Sequence, residues 1–216
     1  MNPAAVILAA GASTRMGSPK ALLLLDGETF LDRLIGLFGA RCRPVVAVLG
    51  YHAEAIEAGI RRGGEALVVR NPDPARGQAS SLQTGIAALG ESVQDFFFCP
   101  VDAPAVAPAT IDALIDRWAG RKPGEWIFRP RTRLAGVDAS SPEPAGQWRR
   151  GHPVLVSGPV RGQLMALGRD ASIRDLLRAH PDRTVMVDVD DAGILGDIDH
   201  PEQYRILTSQ RADPRR

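Results

Sequence analysis

The feature that most constrains the fold is an apolar run that ends in a glycine-rich, positively charged loop. Residues Ala4–Ala10 form the run, and LAAGASTRMGSPK then covers residues 8–20. Gly11 and Gly17 permit positive φ angles and a close backbone approach to a ligand. Successive backbone N–H groups in such a loop can bind an anion, and Arg15 and Lys20 add positive charge there. The loop therefore predicts a phosphate site, and a triphosphate fits it better than a dinucleotide does.

Apolar, β-like runs alternate with amphipathic segments along the whole chain. The early runs are continuously apolar, as expected for parallel strands that are covered on both faces. Thr29-x-x-Asp32 and Ser172-x-x-Asp175 have the spacing of helix starts. The alternation predicts an α/β fold of three layers, with a mostly parallel twisted sheet between helices. The strand candidates are Ala4–Ala10, Pro44–Leu49, Ala66–Val69, Asp95–Cys99, Trp126–Phe128, Pro153–Val156 and Thr184–Val189.

Length and composition limit the classes of protein that this chain can belong to. Its 216 residues suit one domain, which we place at residues 1–208, with residues 209–216 as a disordered tail. The net charge of +1 gives no general attraction to nucleic acid. No apolar stretch approaches the roughly 20 residues of a membrane span, and the N-terminus lacks an export signal. Cys42 and Cys99 lie far apart and form no Cys-x-x-Cys pair, and we interpret Cys99 as a buried reduced thiol. We therefore expect a cytoplasmic protein without nucleic-acid or membrane partners.

The positive charge is carried almost entirely by arginine. Of the 26 cationic residues, all but Lys20 and Lys122 are arginine. Lysine has a compact ammonium, whereas arginine has a planar, forked guanidinium. Lys20 therefore indicates a position that a guanidinium does not suit. Five arginines lie in the segment Arg129–Gly151, which we interpret as a long loop. They either form a solvated face, the favoured interpretation, or bind a phosphorylated acceptor.

Two familiar nucleotide loops do not match this sequence. The dinucleotide fingerprint requires Gly-x-Gly-x-x-Gly, whereas Gly11 is followed by Ala12 and Ser13. The P-loop requires four residues between its glycines and Gly-Lys-Ser/Thr after them, whereas five residues separate Gly11 from Gly17. An NAD-binding oxidoreductase would also need an acidic residue after the second strand, where Leu49-Gly50 stands.

The motifs resemble those of the MobA-like nucleotidyltransferases, and most closely the molybdenum cofactor cytidylyltransferases. The resemblance covers most of the chain, and its first motif is the most specific. The matching segments are Leu8-Ala9-Ala10-Gly11-x-Ser13-x-Arg15-Met16-Gly17-x-Pro19-Lys20, Asn71-Pro72, Gly77-x-x-Ser80-Ser81-Leu82-x-x-Gly85, Pro100-Val101-Asp102-x-Pro104, Gly151-His152-Pro153-Val154-Leu155 and Gly196-Asp197-Ile198-Asp199-x-Pro201-Glu202.

The resemblance implies a nucleotidyltransferase with the fold of the nucleotide-diphospho-sugar transferases. It implies that Lys20, Arg15 and Asp102 are catalytic, that Asp102 and Asp199 hold Mg²⁺, and that Gly151 and His152 bind the acceptor. A nucleoside triphosphate and a phosphorylated acceptor are the implied substrates, and transient contact with molybdoenzyme maturation proteins is a further implication. The implied nucleotide-binding residues are Leu8, Ala9, Ala10, Gly11, Ser13, Arg15, Lys20, Asn71, Ser80 and Ser81.

The residues themselves are consistent with this chemistry. A phosphomonoester is largely ionised near neutral pH, its second pKa being about 6, so it attacks without a general base. Accordingly, the sequence lacks a nucleophile constellation of serine, histidine or cysteine. Structural alternatives remain for three of the motifs. Asp102 could cap a helix after Pro104, Asp199 could begin a helix before Pro201, and Ser80-Ser81 could begin the helix continued by Leu82.

The nucleobase and the acceptor are less strongly indicated. In the resembling family the guanylyl branch tends to have glycine where Ala10 stands, which favours CTP here. Ala103, Gln78, Ala79 and Gln83 depart from the cytidylyl pattern, and residues 169–174 follow it loosely. We expect CMP transfer to molybdopterin. The alternatives are a guanylyltransferase, a sugar-phosphate or alcohol-phosphate nucleotidyltransferase, and an inactive nucleotide-binding module.

Overall fold

The computed structural model describes residues 2–133, 147–169, 171–196 and 198–212. Within these residues the strands are β1 (Ala4–Ala9), β2 (Leu24–Leu25), β3 (Glu28–Thr29), β4 (Val45–Leu49), β5 (Leu67–Arg70), β6 (Phe96–Pro100), β7 (Ile127–Arg133), β8 (Trp148–Arg150), β9 (Val154–Val156) and β10 (Thr184–Asp188). The α-helices are α1 (Phe30–Gly39), α2 (Ala53–Gly59), α3 (Gln78–Leu89), α4 (Pro108–Ala119), α5 (Pro159–Met165), α6 (Ile173–Arg178) and α7 (Pro201–Ala212).

Eight of the strands form one mostly parallel sheet, as the sequence predicts. The order is β10-β7-β9-β6-β1-β4-β5, and β8 pairs with β7 at its side. β1, β4, β5 and β6 are parallel, and β10 is parallel to β7. β9 is antiparallel to both β6 and β7, so the start of β9 lies at the carboxyl end of β6. β2 and β3 form a separate antiparallel pair.

Helices cover both faces of this sheet, which completes the predicted three layers. α1, α2, α4 and α7 contribute to the apolar cluster on one face, and α3, α5 and α6 contribute to the cluster on the other. Every residue of β1, β4 and β6 is buried, which explains why these strands read as unbroken apolar runs. A Cβ at Gly85 would collide with Val6, so this glycine lets α3 pack closely on β1. Because β1, β4 and β6 are parallel, the loops that follow them meet at one edge of the sheet.

Two helix starts form where the sequence predicts them. The Thr29 hydroxyl accepts a hydrogen bond of 3.0 Å from the backbone N–H of Asp32, at the start of α1. The Ser172 hydroxyl accepts one of 3.4 Å from the N–H of Asp175, at the start of α6. In both cases a side-chain oxygen satisfies an N–H group that has no partner within the helix.

The interpretation of Arg129–Gly151 as a loop is wrong at both ends. Residues Arg129–Arg133 continue β7, and residues Trp148–Arg150 form β8. The ladder to β10 and the ion pair between Arg131 and Asp188 support a strand despite Pro130 and the arginines. A strand is not predicted here from the sequence because proline and charged residues are uncommon in strands. Pairing with neighbouring strands nevertheless determines the structure of these residues. Residues 134–146 lie outside the described part of the chain.

The carboxyl-terminal helix crosses the predicted domain boundary. α7 continues to Ala212, past residue 208, and residues 213–216 are outside the described part. The extent of the single domain stays a prediction. Cys42 and Cys99 are buried free thiols, and burial raises the pKa of the Cys42 thiol to about 12. Across the described residues, no helix combines the length and the apolar character that a bilayer crossing requires.

Candidate active site

A cavity of about 390 Å³ opens at the edge of the sheet where β1, β4 and β6 end. This volume falls within the range of about 300–1,000 Å³ that is typical of small-molecule sites. The predicted site residues that line it are Leu8, Ala9, Ala10, Gly11, Ser13, Arg15, Lys20, Ser81, Asp102 and Asp199. Segments that are distant in sequence thus supply one site at the position where open α/β sheets bind ligands.

The loop after β1 is folded by its own hydrogen bonds. Ser13 has a φ of 51°, and its carbonyl accepts a hydrogen bond from Met16 at 3.0 Å. The Ser13 hydroxyl accepts a second bond from the backbone N–H of Lys20, also at 3.0 Å. Gly17 has a φ of 70°, as its predicted role requires, whereas Gly11 does not have a positive φ. The space beside Gly11 is open, because a Cβ there would meet no atom within 4 Å.

Lys20 holds the acidic groups of the site together. Its Nζ donates a hydrogen bond of 2.5 Å to Asp199 Oδ1 and lies 3.6 Å from Asp102 Oδ2. The Lys20 side chain is 13% exposed, whereas that of Arg15 is 67% exposed and lies 3.9 Å from Asp199. The hydrogen bond from Lys20, followed by the charges of Lys20 and Arg15, lowers the pKa of Asp199, against the opposing effect of desolvation. Both carboxylates therefore point at one place, the Lys20 ammonium.

The structural alternatives, in which Asp102 and Asp199 serve only to start helices, do not account for the contacts of their carboxylates with Lys20. The N-cap of α4 is Ala107, not Asp102, and the Asp191 carboxylate accepts hydrogen bonds from the Ala107 N–H (2.8 Å) and the Thr110 hydroxyl (2.6 Å). Before α7, the backbone N–H of Asp199 donates to Gln203 Oε1, while the Asp199 carboxylate is directed to Lys20. Asp197 lies outside the described residues. Two carboxylates that meet at one point are the arrangement a hard cation uses.

The start of α3 forms one wall of the cavity. Asn71 Nδ2 donates to the hydroxyls of Ser80 (2.9 Å) and Ser81 (3.0 Å), and all three residues are buried. Both hydroxyls also contact the carbonyl of Gly77, which precedes the helix. Ser81 lines the cavity, whereas Asn71 and Ser80 lie behind the lining. The helix-start interpretation and a place in the site are thus compatible for Ser81.

Gly151 and His152 do not line this cavity, but one segment connects them to it. The His152 N–H donates to the Ile194 carbonyl at 2.9 Å, and a Cβ at Gly151 would collide with the same carbonyl. Two residues later, a Cβ at Gly196 would lie 3.1 Å from the Asp102 carbonyl. Residues 192–196 therefore contact the predicted acceptor motif on one side and the Asp102 loop on the other.

Sequence reasoning missed several residues of the cavity wall. Tyr51, which is 40% exposed, follows β4 and lines the cavity together with Gly77 and Gln78. A Cβ at Gly50 would lie 2.8 Å from both Ala10 and Pro74, so Gly50 lets three loops meet. The signal for Tyr51 is an aromatic residue directly after a buried parallel strand, where ligand-binding loops begin.

Comparisons with known proteins show the family to which the chain belongs. The family model of the MobA-like NTP transferase domain matches residues 5–184. Molybdenum cofactor cytidylyltransferase of Escherichia coli (strain K12) is 26% identical over 199 residues, which is 92% of each chain. Probable molybdenum cofactor guanylyltransferase of Mycobacterium ulcerans (strain Agy99) is 35% identical over 117 residues, which is 52% of this chain and 54% of that protein.

Solved structures share the fold over nearly the whole chain. The crystal structure of Rv0371c from Mycobacterium tuberculosis H37Rv is similar with a TM-score of 0.73 and 29% identity, covering 97% of this chain and 99% of that one. A complex of Rv0371C with manganese is similar with a TM-score of 0.69 and 27% identity, over 97% and 99% of the two chains. With the family model covering most of its length, the chain belongs to the MobA-like NTP transferase family and is a nucleotidyltransferase.

Proposed function

We propose that this protein transfers CMP from CTP to the phosphate of molybdopterin and releases pyrophosphate. The observation that carries the proposal is the position of Lys20, which contacts Asp199 and Asp102 at the wall of a cavity lined by the glycine-rich loop. This arrangement combines a cationic phosphate ligand with two carboxylates for a cation. Transfer of a nucleotidyl group needs both, because it depends on positioning and on charge stabilisation.

In the proposed reaction an oxygen of the acceptor phosphate attacks the α-phosphorus of CTP. A new P–O bond forms, and the bond from the α-phosphorus to the oxygen bridging to the β-phosphate breaks. The ionised acceptor phosphate needs no base to remove a proton. Lys20 and Arg15 would stabilise the negative charge that moves onto the pyrophosphate, and backbone N–H groups of residues 11–15 would orient its oxygens.

The residues present fit a divalent cation that is shared with the substrate. Within the described ranges, no group of three His, Cys, Asp or Glu side chains could hold a metal. Asp102 and Asp199 supply two carboxylates, and Mg²⁺ is often bound by one or two carboxylates together with substrate phosphates. When bound there, the ion would neutralise charge on the reacting phosphates. The manganese complex of a similar protein is consistent with a divalent ion, and we propose Mg²⁺ as the one used.

The choice of CTP depends on the shape of the cavity near Ala10. Ala10 is buried, lines the cavity, and lies in contact range of the position that a Cβ of Gly50 would take. Its methyl group narrows the space between the ends of β1 and β4, which favours a pyrimidine over a purine. A guanylyltransferase is the second candidate because a protein of that name is 35% identical over half of this chain.

Pyrophosphate release tests the proposal. Purified protein with Mg²⁺ is incubated with each nucleoside triphosphate, with and without molybdopterin. We expect release only with the acceptor and fastest with CTP. Ala10→Gly should increase kcat/KM for GTP relative to CTP, while Ala40→Gly, which lies away from the cavity, serves as the matched control. Equal rates with CTP and GTP in the wild type would overturn the assignment of the base.

A further inference from the structure

A second group of basic side chains, four arginines and one histidine, lies outside the cavity. It comprises Arg129 on β7, Arg150 at the end of β8, His152 before β9, and Arg174 and Arg178 on α6; we name it the basic cluster. None of its members is part of the cavity wall. The His152 ring lies 6.1 Å from the ring of Phe98, which belongs to the same apolar cluster as Ile173 and Leu177 of α6.

The floor of the basic cluster contains two polar atoms without partners. Arg129 Nε and His152 Nδ1 are both buried, and neither makes a hydrogen bond within the described part of the protein. A buried polar atom without a partner loses its hydrogen bonds to water and gains none in return. Buried polar atoms without a partner are uncommon in folded proteins, and two in one region indicate that something else satisfies them. A ligand with acceptor oxygens or sulfurs would do so.

Few of the described carboxylates lie beside the arginines of the basic cluster. Among the residues that the structure describes, no carboxylate forms an ion pair with Arg129, Arg150 or Arg174. Arg178 lies 3.8 Å from Asp175, but both side chains are exposed, so this pair contributes little. Desolvation, and then the charges of Arg150, Arg174 and Arg178, lower the pKa of Arg129. The positive charges thus destabilise one another where no anion is bound.

The basic cluster is connected to the reaction site through residues 192–196. His152 is hydrogen-bonded to Ile194, and the neighbouring Gly196 packs against the backbone of Asp102. In the pairing of β6 with β9, Phe98 lies opposite Val154, so His152 is placed near the end of β6 that leads to Asp102. Residues 192–196 therefore contact both the Asp102 loop and the segment that carries His152.

We propose that the basic cluster binds a second anionic group of the acceptor, apart from the phosphate that attacks CTP. The proposal rests on the proposed function, and it specifies the substrate class as an acceptor with at least two anionic groups. The attacking phosphate must lie beside the α-phosphate at Lys20, whereas the members of the basic cluster lie outside that cavity. Arg150, Arg174 and Arg178 are exposed around the two buried nitrogens and supply guanidinium groups that suit such an anion.

Direct binding of an anion tests the basic cluster without requiring turnover. Inorganic phosphate is titrated into the full-length protein while the imidazole resonances of His52, His152, His180 and His200 are followed by NMR. Phosphate in the basic cluster shifts His152, whereas phosphate in the cavity shifts His52, whose Nε2 lies 3.3 Å from the Ala12 carbonyl. The double variant Arg174→Ala/Arg178→Ala should weaken the His152 effect about tenfold. Both residues are exposed on α6, so the fold should be retained.

Three comparisons complete the design. Arg205→Ala removes an exposed arginine from α7 and should leave the His152 titration unchanged. Lys20→Ala should weaken the His52 effect but not the His152 effect. Where CTP and molybdopterin react, the double variant should raise KM for the acceptor about tenfold and leave KM for CTP unchanged. A His152 signal that does not respond to phosphate, or that responds equally in the double variant, would overturn the proposal. Absence of transfer with every acceptor would instead contradict the proposed function alone.

Discussion

The two halves of the sheet differ in how their charged side chains are paired. In the half formed by β1, β4, β5 and β6, the strands are parallel and the reactive side chains are paired, with Lys20 between Asp102 and Asp199. In the half formed by β7–β10, antiparallel pairs occur, and no described carboxylate forms an ion pair with Arg129, Arg150 or Arg174. The difference indicates that the first half is organised before the nucleotide binds, whereas the second half gains its balancing charge from a ligand.

The largest expected effect on activity comes from Asp102, in the half formed by β1, β4, β5 and β6, which we call the nucleotide half. Asp102→Asn keeps the shape of the side chain but removes the charge that faces Lys20 and a bound cation. We expect kcat to fall by about 10³-fold, as is usual when a group that stabilises transition-state charge is lost. Steady-state pyrophosphate release at saturating CTP and Mg²⁺ measures it.

The control for this variant is Asp112→Asn, which breaks an exposed ion pair with Arg41 far from the site. It should retain wild-type activity. The melting temperature of Asp102→Asn should stay within a few degrees of the wild type, which separates catalysis from folding. Activity of Asp102→Asn equal to that of Asp112→Asn would show that Asp102 has no role in the reaction.

Lys20 should tolerate replacement by arginine poorly, although both side chains are positively charged. A planar guanidinium cannot occupy the half-buried position of a compact ammonium between two carboxylates. We expect Lys20→Arg to lower kcat/KM about 10²-fold. Lys122→Arg is the matched control, because it makes the same change at the only other lysine. Comparable activities of the two variants would contradict the account of the phosphate loop.

In the half of the sheet formed by β7–β10, which we call the acceptor half, His152 should instead make the stability of the protein depend on pH. Burial, and then the charges of Arg129 and Arg174, lower the pKa of His152 from 6.5 to about 4. Between these values the unfolded chain binds a proton that the folded protein does not, so stability falls as pH decreases from 6.5 to 4. At about 1.4 kcal/mol per pKa unit, the loss at pH 5 is about 2 kcal/mol.

Urea unfolding at pH 7 and pH 5 measures this dependence. His152→Gln should remove about 2 kcal/mol of the difference in unfolding free energy between the two pH values. His180→Gln is the control, since His180 contacts Gln163 at 2.7 Å and lies outside the basic cluster. An unchanged pH dependence in His152→Gln would show that His152 titrates normally, and that the basic cluster is not as electropositive as its geometry indicates.

The same contrast explains what sequence could predict. In the nucleotide half, buried parallel strands give apolar runs, and the loop after β1 has a specific motif, so strands, loop and charged residues were predicted together. The convergence of Asp102 and Asp199 on Lys20 needed the resemblance, because the residues are far apart in sequence. Tyr51 was missed because a single aromatic residue after a strand carries no motif.

In the acceptor half, local sequence was a poorer guide. Residues Arg129–Arg133 form a strand because of their partners β10 and β8, and such long-range pairing is invisible in composition. The arginines of the basic cluster come from three elements, and only the fold brings them together. The cytoplasmic location and the transient contact with maturation proteins stay predictions.

A crystal structure of the protein with CTP and Mg²⁺ tests the central claim most directly. We predict that the triphosphate lies along residues 10–20 with Lys20 on its phosphates, and that the cation is held by Asp102 and Asp199. A nucleotide whose phosphates lie elsewhere, with Lys20 still bound to Asp199, would contradict the account.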